Sequence, residues 1–151
     1  MRATKCMDNA YDRNDRFELI AACDGETLAG FADEILAAEP PLRVLQEPRP
    51  QLVMQQVREP VEGRPFNLGE VVVTPAEVRL DGEEGFAMRP GKAERHALSG
   101  AIVDAAVAGD HSLAGDIVTD LEAAGEAFER ERRETWTRSR HTTVDFDVME
   151  D

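Results

Sequence analysis

Apolar residues first take up a helical rhythm at Phe17, Ile20 and Ala21, after an opening stretch without periodicity. Asn14 is an acceptable cap for that first helix. Asp24-Gly25 interrupts it, and Asp24 can cap a second helix, in which Leu28, Phe31, Ala32, Ile35 and Leu36 form a core-facing stripe. Pro40-Pro41 ends this segment. The period then changes. Short β-like runs at Val44-Leu45 and Leu52-Val53-Met54 are separated by Pro48 and Pro50, and Glu62-Gly63-Arg64-Pro65 reads as a turn. Phe66 to Leu80 is rich in β-branched residues, with Pro75 as a break or an edge position. Asp81-Gly82 suits a two-residue hairpin, which predicts antiparallel pairing of Glu77–Leu80 with Glu84–Met88.

Past Pro90-Gly91 the helical period returns. An alanine-rich helix is expected from about Lys92 to Ala108, burying Leu98, Ala101, Ile102 and Ala105. A longer one is expected from about Ser112 to Ser139, with Leu113, Ile117, Leu121, Ala124 and Phe128 in a near-heptad line. Glu126–Arg130 and Glu129–Arg133 are spaced as intrahelical pairs. Beyond Phe128 the apolar line thins to Trp136, so this end is expected to project or to meet a partner. The chain closes on strict alternation: Val144, Phe146 and Val148 against Asp145 and Asp147. That is a strand pattern, able to join the domain's own sheet or to add to another subunit. The expected fold is therefore α+β, with N-terminal helices, an antiparallel sheet, an Ala-rich helix and a long C-terminal helix followed by a terminal strand. Residues 1–13 read as a disordered leader, 14–151 as one domain, and 142–151 as a partner-docking strand.

Composition narrows the function classes. With 31 acidic and 17 basic residues among 151, the net charge of −14 argues against bare nucleic acid and anionic membrane surfaces as partners. Lys5 and Lys92 are the only lysines. Acid excess with scarce lysine points to a salt-adapted, halophilic proteome, where screening over a few ångströms relieves self-repulsion. Cys6 and Cys23 lack metal-ligand spacing, which suits a reducing compartment. The polar stretch Met1–Arg16 has no apolar signal core and no run approaches a membrane span, so a cytoplasmic location is expected.

The search for chemistry returns little. His96, His111 and His141 are far apart in sequence and fall in no metal or catalytic motif. His96 reads as a partly exposed helical residue and His111 as a turn or cap. No nucleophile motif and no phosphate-binding glycine loop is present. Gly91-Lys92 ahead of a helix is a weak candidate for anion binding through free N–H groups. Arg130, Arg132, Arg133, Arg138 and Arg140 with His141 complement the C-terminal end of a helix dipole and could grip carboxylates or phosphates. No catalytic residue and no metal site is assigned, and no cofactor is expected on this chain alone. An alternative to a subunit role is a stand-alone small acidic nucleotide- or anion-binding module.

Ordered words in the sequence go further than these statistics. Arg64-Pro65-Phe66-Asn67-Leu68-Gly69-Glu70-Val71-Val72-Val73-Thr74, then Ala76-Glu77-Val78-Arg79-Leu80, resembles the central signature of the PhnG family. So do Gly85-Phe86-Ala87-Met88, Gly91, Ala97-Leu98 and Ala101-Ile102-Val103-Asp104-Ala105. Arg16-Phe17-Glu18-Leu19-Ile20-Ala21-Ala22-Cys23 and Thr143-Val144-Asp145-Phe146 with Met149 are similar to the family's ends. Departures are Ala93 at the turn's acidic position, Pro75 at a usually polar one, and Asp147 at a usually aromatic one. The resemblance implies a subunit of the carbon–phosphorus lyase core complex, working with PhnI-, PhnH- and PhnJ-type subunits. It implies assistance in transferring an alkylphosphonate to the ribose C1 of ATP with release of adenine, so that the complex uses ATP. On that reading Trp136, Val144, Asp145 and Phe146 are candidate interface residues.

Overall fold

A computed structural model describes residues 12–142. Two helices, α1 (Arg13–Ala22) and α2 (Gly25–Leu36), are followed by strands β1 (Leu42–Gln46), β2 (Gln51–Arg58), β3 (Pro65–Leu80) and β4 (Glu83–Pro90). Two more helices, α3 (Glu94–Ala108) and α4 (Ala114–Arg140), complete the order. The four strands form one antiparallel sheet with β3 at its centre. The fold is α+β, as expected. The terminal strand expected over Thr143–Met149 lies outside the described residues.

The first two helices start where short polar side chains satisfy their first N–H groups. The Asp12 carboxylate accepts from Asn14 N–H at 2.7 Å and Asp15 N–H at 2.9 Å, so the cap of α1 is Asp12, two residues ahead of the expected Asn14. Asp24 accepts from the Thr27 N–H at 2.9 Å and the Thr27 hydroxyl at 2.6 Å. Those bonds hold its carboxyl below the ordinary value, the Thr27 hydroxyl having the largest effect.

β3 runs through Pro75 without a break. Val72 C=O accepts from Gly91 N–H at 2.8 Å and Asp81 N–H donates to Pro41 C=O at 2.9 Å. Even-numbered β3 residues therefore direct their backbone groups toward β4, and odd-numbered ones toward the edge shared by β1 and β2. β1 pairs with Glu77–Leu80 and β2 with Pro65–Val73. Pro75 sits in the gap between them, where a missing N–H forfeits no ladder bond. At the other end, Asp81 and Gly82 have φ of 48° and 91°, the conformation a tight hairpin needs. β3 and β4 pair antiparallel as expected, starting one residue earlier with Leu80 opposite Glu83, then Arg79 opposite Glu84 and Val78 opposite Gly85.

The core lies between one face of this sheet and the helices. Thr74, Ala76, Val78 and Leu80 of β3 are buried, as are Gly85 and Ala87 of β4. α3 lies against them so closely that a Cβ on Gly85 would stand 2.1 Å from the Ala101 carbonyl oxygen. Gly100 is equally constrained, its missing Cβ 2.9 Å from Ala87 Cβ and from Ile20 Cγ2. Small residues on both elements thus set the helix–sheet separation. Ile20, Leu28, Ile35, Val103, Ile117 and Leu121 fill the remaining volume. Burying each such aliphatic side chain stabilises by roughly 1.5–3 kcal/mol.

Candidate functional site

Two charged contacts bind α1 to the body, and neither partner of either is near the other in sequence. Arg16 Nε donates to Asp104 Oδ1 at 2.8 Å, while Asp104 Oδ2 accepts from Phe86 N–H at 3.0 Å. One α3 carboxylate thereby joins α1 and a backbone donor of β4. Arg89 of β4 reaches the C-terminal end of α1, where Nη1 donates to the carbonyls of Ile20, Ala21 and Cys23 at 2.9, 3.0 and 2.6 Å. α1 has no basic residue in its own last turn, so Arg89 supplies the cation that the helix dipole favours there. Phe17 stacks on Phe86, with centroids 5.9 Å apart, beside these contacts. They are structural fastenings in the body rather than an open cleft.

The histidines remain apart. His96 packs over Gly25, and its Nε2 lies 3.4 Å from Glu26 Oε1, near Arg95, whose Nη1 is 3.5 Å from the same oxygen. His111 Nδ1 accepts from Leu113 N–H at 3.1 Å, organising the turn ahead of α4, in line with the turn or cap role expected of it. His141 ends α4. Cys23 is buried, and burial, followed by the neighbouring Asp24, pushes its thiol up to about 11, so it is a poor nucleophile. Among the described residues no three His, Cys, Asp or Glu side chains gather to hold a metal ion.

Gly91 and Lys92 lie in the turn before α3. Gly91 has φ of 75°, its N–H donates to Val72 and its carbonyl accepts from the Thr74 hydroxyl at 2.7 Å. Thr74 Oγ1 also accepts from Ala93 N–H at 3.2 Å. The buried Thr74 hydroxyl is therefore the internal organiser of this turn, a role the β-branched run gave no sign of.

What reaches outward is a helix end and a pair of strands. α4 is 27 residues, roughly 40 Å long, and none of its described residues beyond Leu121 is buried. Gly125 lets Leu19 of α1 approach within 2.5 Å of where a Cβ would be, and past that point α4 leaves the body. Phe128 and Trp136, two turns apart on one side, are exposed, Trp136 by 68%. Arg132 pairs with Glu129 at 3.5 Å, and Arg133 donates from Nε to the Glu129 carbonyl at 3.3 Å. Val144, Asp145 and Phe146 lie outside the described residues.

The second outward element was not singled out from sequence. β2 makes substantial contact with β3 alone, and it pairs with the half of β3 that extends beyond β1 and β4. The result is a two-stranded arm carrying exposed Leu52, Val53, Met54, Phe66, Leu68, Val71 and Val72. Its tip is held by Glu59, whose carboxylate accepts from the N–H groups of Val61, Glu62 and Arg64 at 2.7, 2.7 and 3.1 Å. Those bonds, Arg64's foremost, lower its pKa. The run of β-branched residues announced strands, yet alternation alone does not say whether a sheet face will be covered.

Among the described residues no helix is long and apolar enough to cross a membrane. No curated protein matches the chain. The family described as phosphonate metabolism protein PhnG matches residues 11–150. That span takes in every element of the fold, and the chain belongs to the PhnG family of phosphonate metabolism proteins.

Proposed function

We propose that this chain is a non-autonomous subunit of a carbon–phosphorus lyase core complex, acting beside PhnI-, PhnH- and PhnJ-type subunits. The family membership over residues 11–150 carries this reading. The projecting half of α4 and the apolar arm support it, because a protein that works alone rarely leaves such surfaces in water.

In the proposed reaction an oxygen of an alkylphosphonate forms a bond to C1 of the ATP ribose. The C1–N bond to adenine breaks, and adenine leaves with its electron pair and gains a proton. The product is a ribose 1-phosphonate 5-triphosphate. This chemistry requires stabilising oxocarbenium-like charge at C1 and protonating the departing base. We assign most of it to the PhnI-type partner and assign this chain the shaping of the interface, with Trp136, Val144, Asp145 and Phe146 as docking residues and ATP a substrate of the whole complex. A cytoplasmic, halophilic setting accords with the scarcity of lysine and the net charge of −14.

Co-expression with the host's PhnI, PhnH and PhnJ homologues, followed by mass determination in molar salt, tests the proposal. Equal recovery of the chains, reduced by Trp136→Ala and lost on deleting residues 142–151, is the expected result. A chain that runs alone as a folded monomer and binds ATP unaided overturns it in favour of an independent nucleotide-binding module.

A further inference from the structure

The β2–β3 arm has three properties that together define what covers it. It is apolar on both faces. The register places Val53 opposite Val71 and Val57 opposite Phe66 on one face, and Leu52 opposite Val72 with Met54 on the other. Leu52 and Leu68 are 61% and 60% exposed. Its two strands are also electrically neutral in a chain of net −14, residues 51–58 and 65–73 carrying one cation, Arg58, and one anion, Glu70, while the tip between them adds Glu59, Glu62 and Arg64. Finally, it has an open edge. β4 ends with Pro90 opposite Val73, and among the described residues no strand pairs with that side of β3 over Phe66–Val71.

Area decides between a second copy and a different chain. Nine residues of ribbon at about 3.3 Å each, some 10 Å wide, present roughly 300 Å² per face. A stable interface needs about 800 Å² per partner. Two arms stacked on each other cover one face each and fall well short. Covering both faces and the free edge approaches the required area, and only a cleft does that.

We infer that the arm inserts into an uncharged, apolar cleft of a different polypeptide of the complex, which closes on both faces and adds a strand to the Phe66–Val71 edge. This rests on the subunit reading above but places its principal dock on the arm rather than on α4. Neutrality is the functional point, because buried carboxylates would need partners that an apolar cleft does not hold.

The test is co-expression of the full chain, as wild type, V53E/F66E and V53K/F66K, with the host's PhnI, PhnH and PhnJ homologues. The arm makes no substantial contact with the helices, so both variants should keep the wild-type unfolding transition when purified alone. Both should lower recovered complex by more than about tenfold. If wild type assembles and both variants assemble equally well, the arm proposal fails while the subunit reading stands. If the lysine pair assembles normally and only the glutamate pair does not, the cleft is acidic and the proposal is overturned. If wild type is an isolated dimer that the variants convert to monomer, the occupant is a second copy, which also overturns it. Failure of wild type to assemble removes the subunit reading and this inference together.

Discussion

Arg16 in α1 and Asp104 in α3 meet at 2.8 Å with their side chains only 8% and 3% exposed, 88 residues apart in sequence. Such a pair forms only when the helices have already docked, so its loss removes a charged contact between α1 and α3. Asp104→Ala removes the bonds from Arg16 and from the Phe86 N–H together and should cost about 2–3 kcal/mol, read as a fall in the urea midpoint with unchanged slope. Adding Arg16→Met should return only part of this, because the Phe86 N–H still lacks the Asp104 oxygen. Full recovery in the double variant would show that the Phe86 bond contributes nothing.

Arg89→Met should loosen α1 selectively. Three carbonyls at its C-terminal end lose a charged donor, a loss of about 2 kcal/mol. Hydrogen exchange should rise across α1 and at the Cys23 amide, which donates to Leu19 C=O, before it rises in α3. Uniform acceleration through the whole chain would contradict this local role.

Gly25 and Gly85 should respond differently to alanine. A Cβ at Gly25 would stand 2.1 Å from His96 Nδ1, a side chain that another substitution can remove. Gly25→Ala should destabilise by about 1–3 kcal/mol, and His96→Ala should restore most of it. At Gly85 the obstacles are the Ala101 oxygen at 2.1 Å and the Ala105 nitrogen at 2.4 Å, both backbone, so no single second substitution should rescue Gly85→Ala. Thermal melts of the four proteins decide the matter.

The Cys23 thiol makes stability pH-dependent at the alkaline end. Burial raises its folded pKa from an ordinary 9.0 to about 11, so the unfolded chain loses its proton first. The folded state then holds more protons, and stability falls as pH rises from about 9 to about 11, by on the order of 2 kcal/mol. Cys23→Ser should flatten that limb. In a Cys6→Ser background, thiol-reagent labelling at pH 8 should track unfolding rather than the rate of a free thiol.

Trp136 is the only tryptophan and is largely exposed, so it reports on the α4 surface directly. The free chain should emit at the red-shifted wavelength of hydrated indole and be quenched readily by iodide. Assembly should shift the emission to the blue and shield it if α4 is a dock. Complex formation without either change would place the interface elsewhere, on the arm.

The local features were legible in the residues themselves. Asp24 as a cap, the Leu28–Leu36 stripe, the Asp81-Gly82 hairpin with its register, and the small-residue face of α3 all depend on neighbours a few positions away. Their periods and φ requirements are written in short stretches of chain. The family resemblance was legible too, since ordered words survive without knowledge of where they fold.

Tertiary structure alone decided the rest. Leu52 and Val72 fall in β-like runs, yet they stand exposed because β3 outruns the helices that cover its other half. Pro75 interrupts nothing, because β1 and β2 happen to leave its position unpaired. Arg16, Arg89 and Asp104 look like ordinary surface charges, and only the docking of α1 against β4 and α3 gives them their partners. Period and propensity are properties of a segment. Burial, ion pairing and an unpartnered face are properties of which segments meet, and long-range packing chose those.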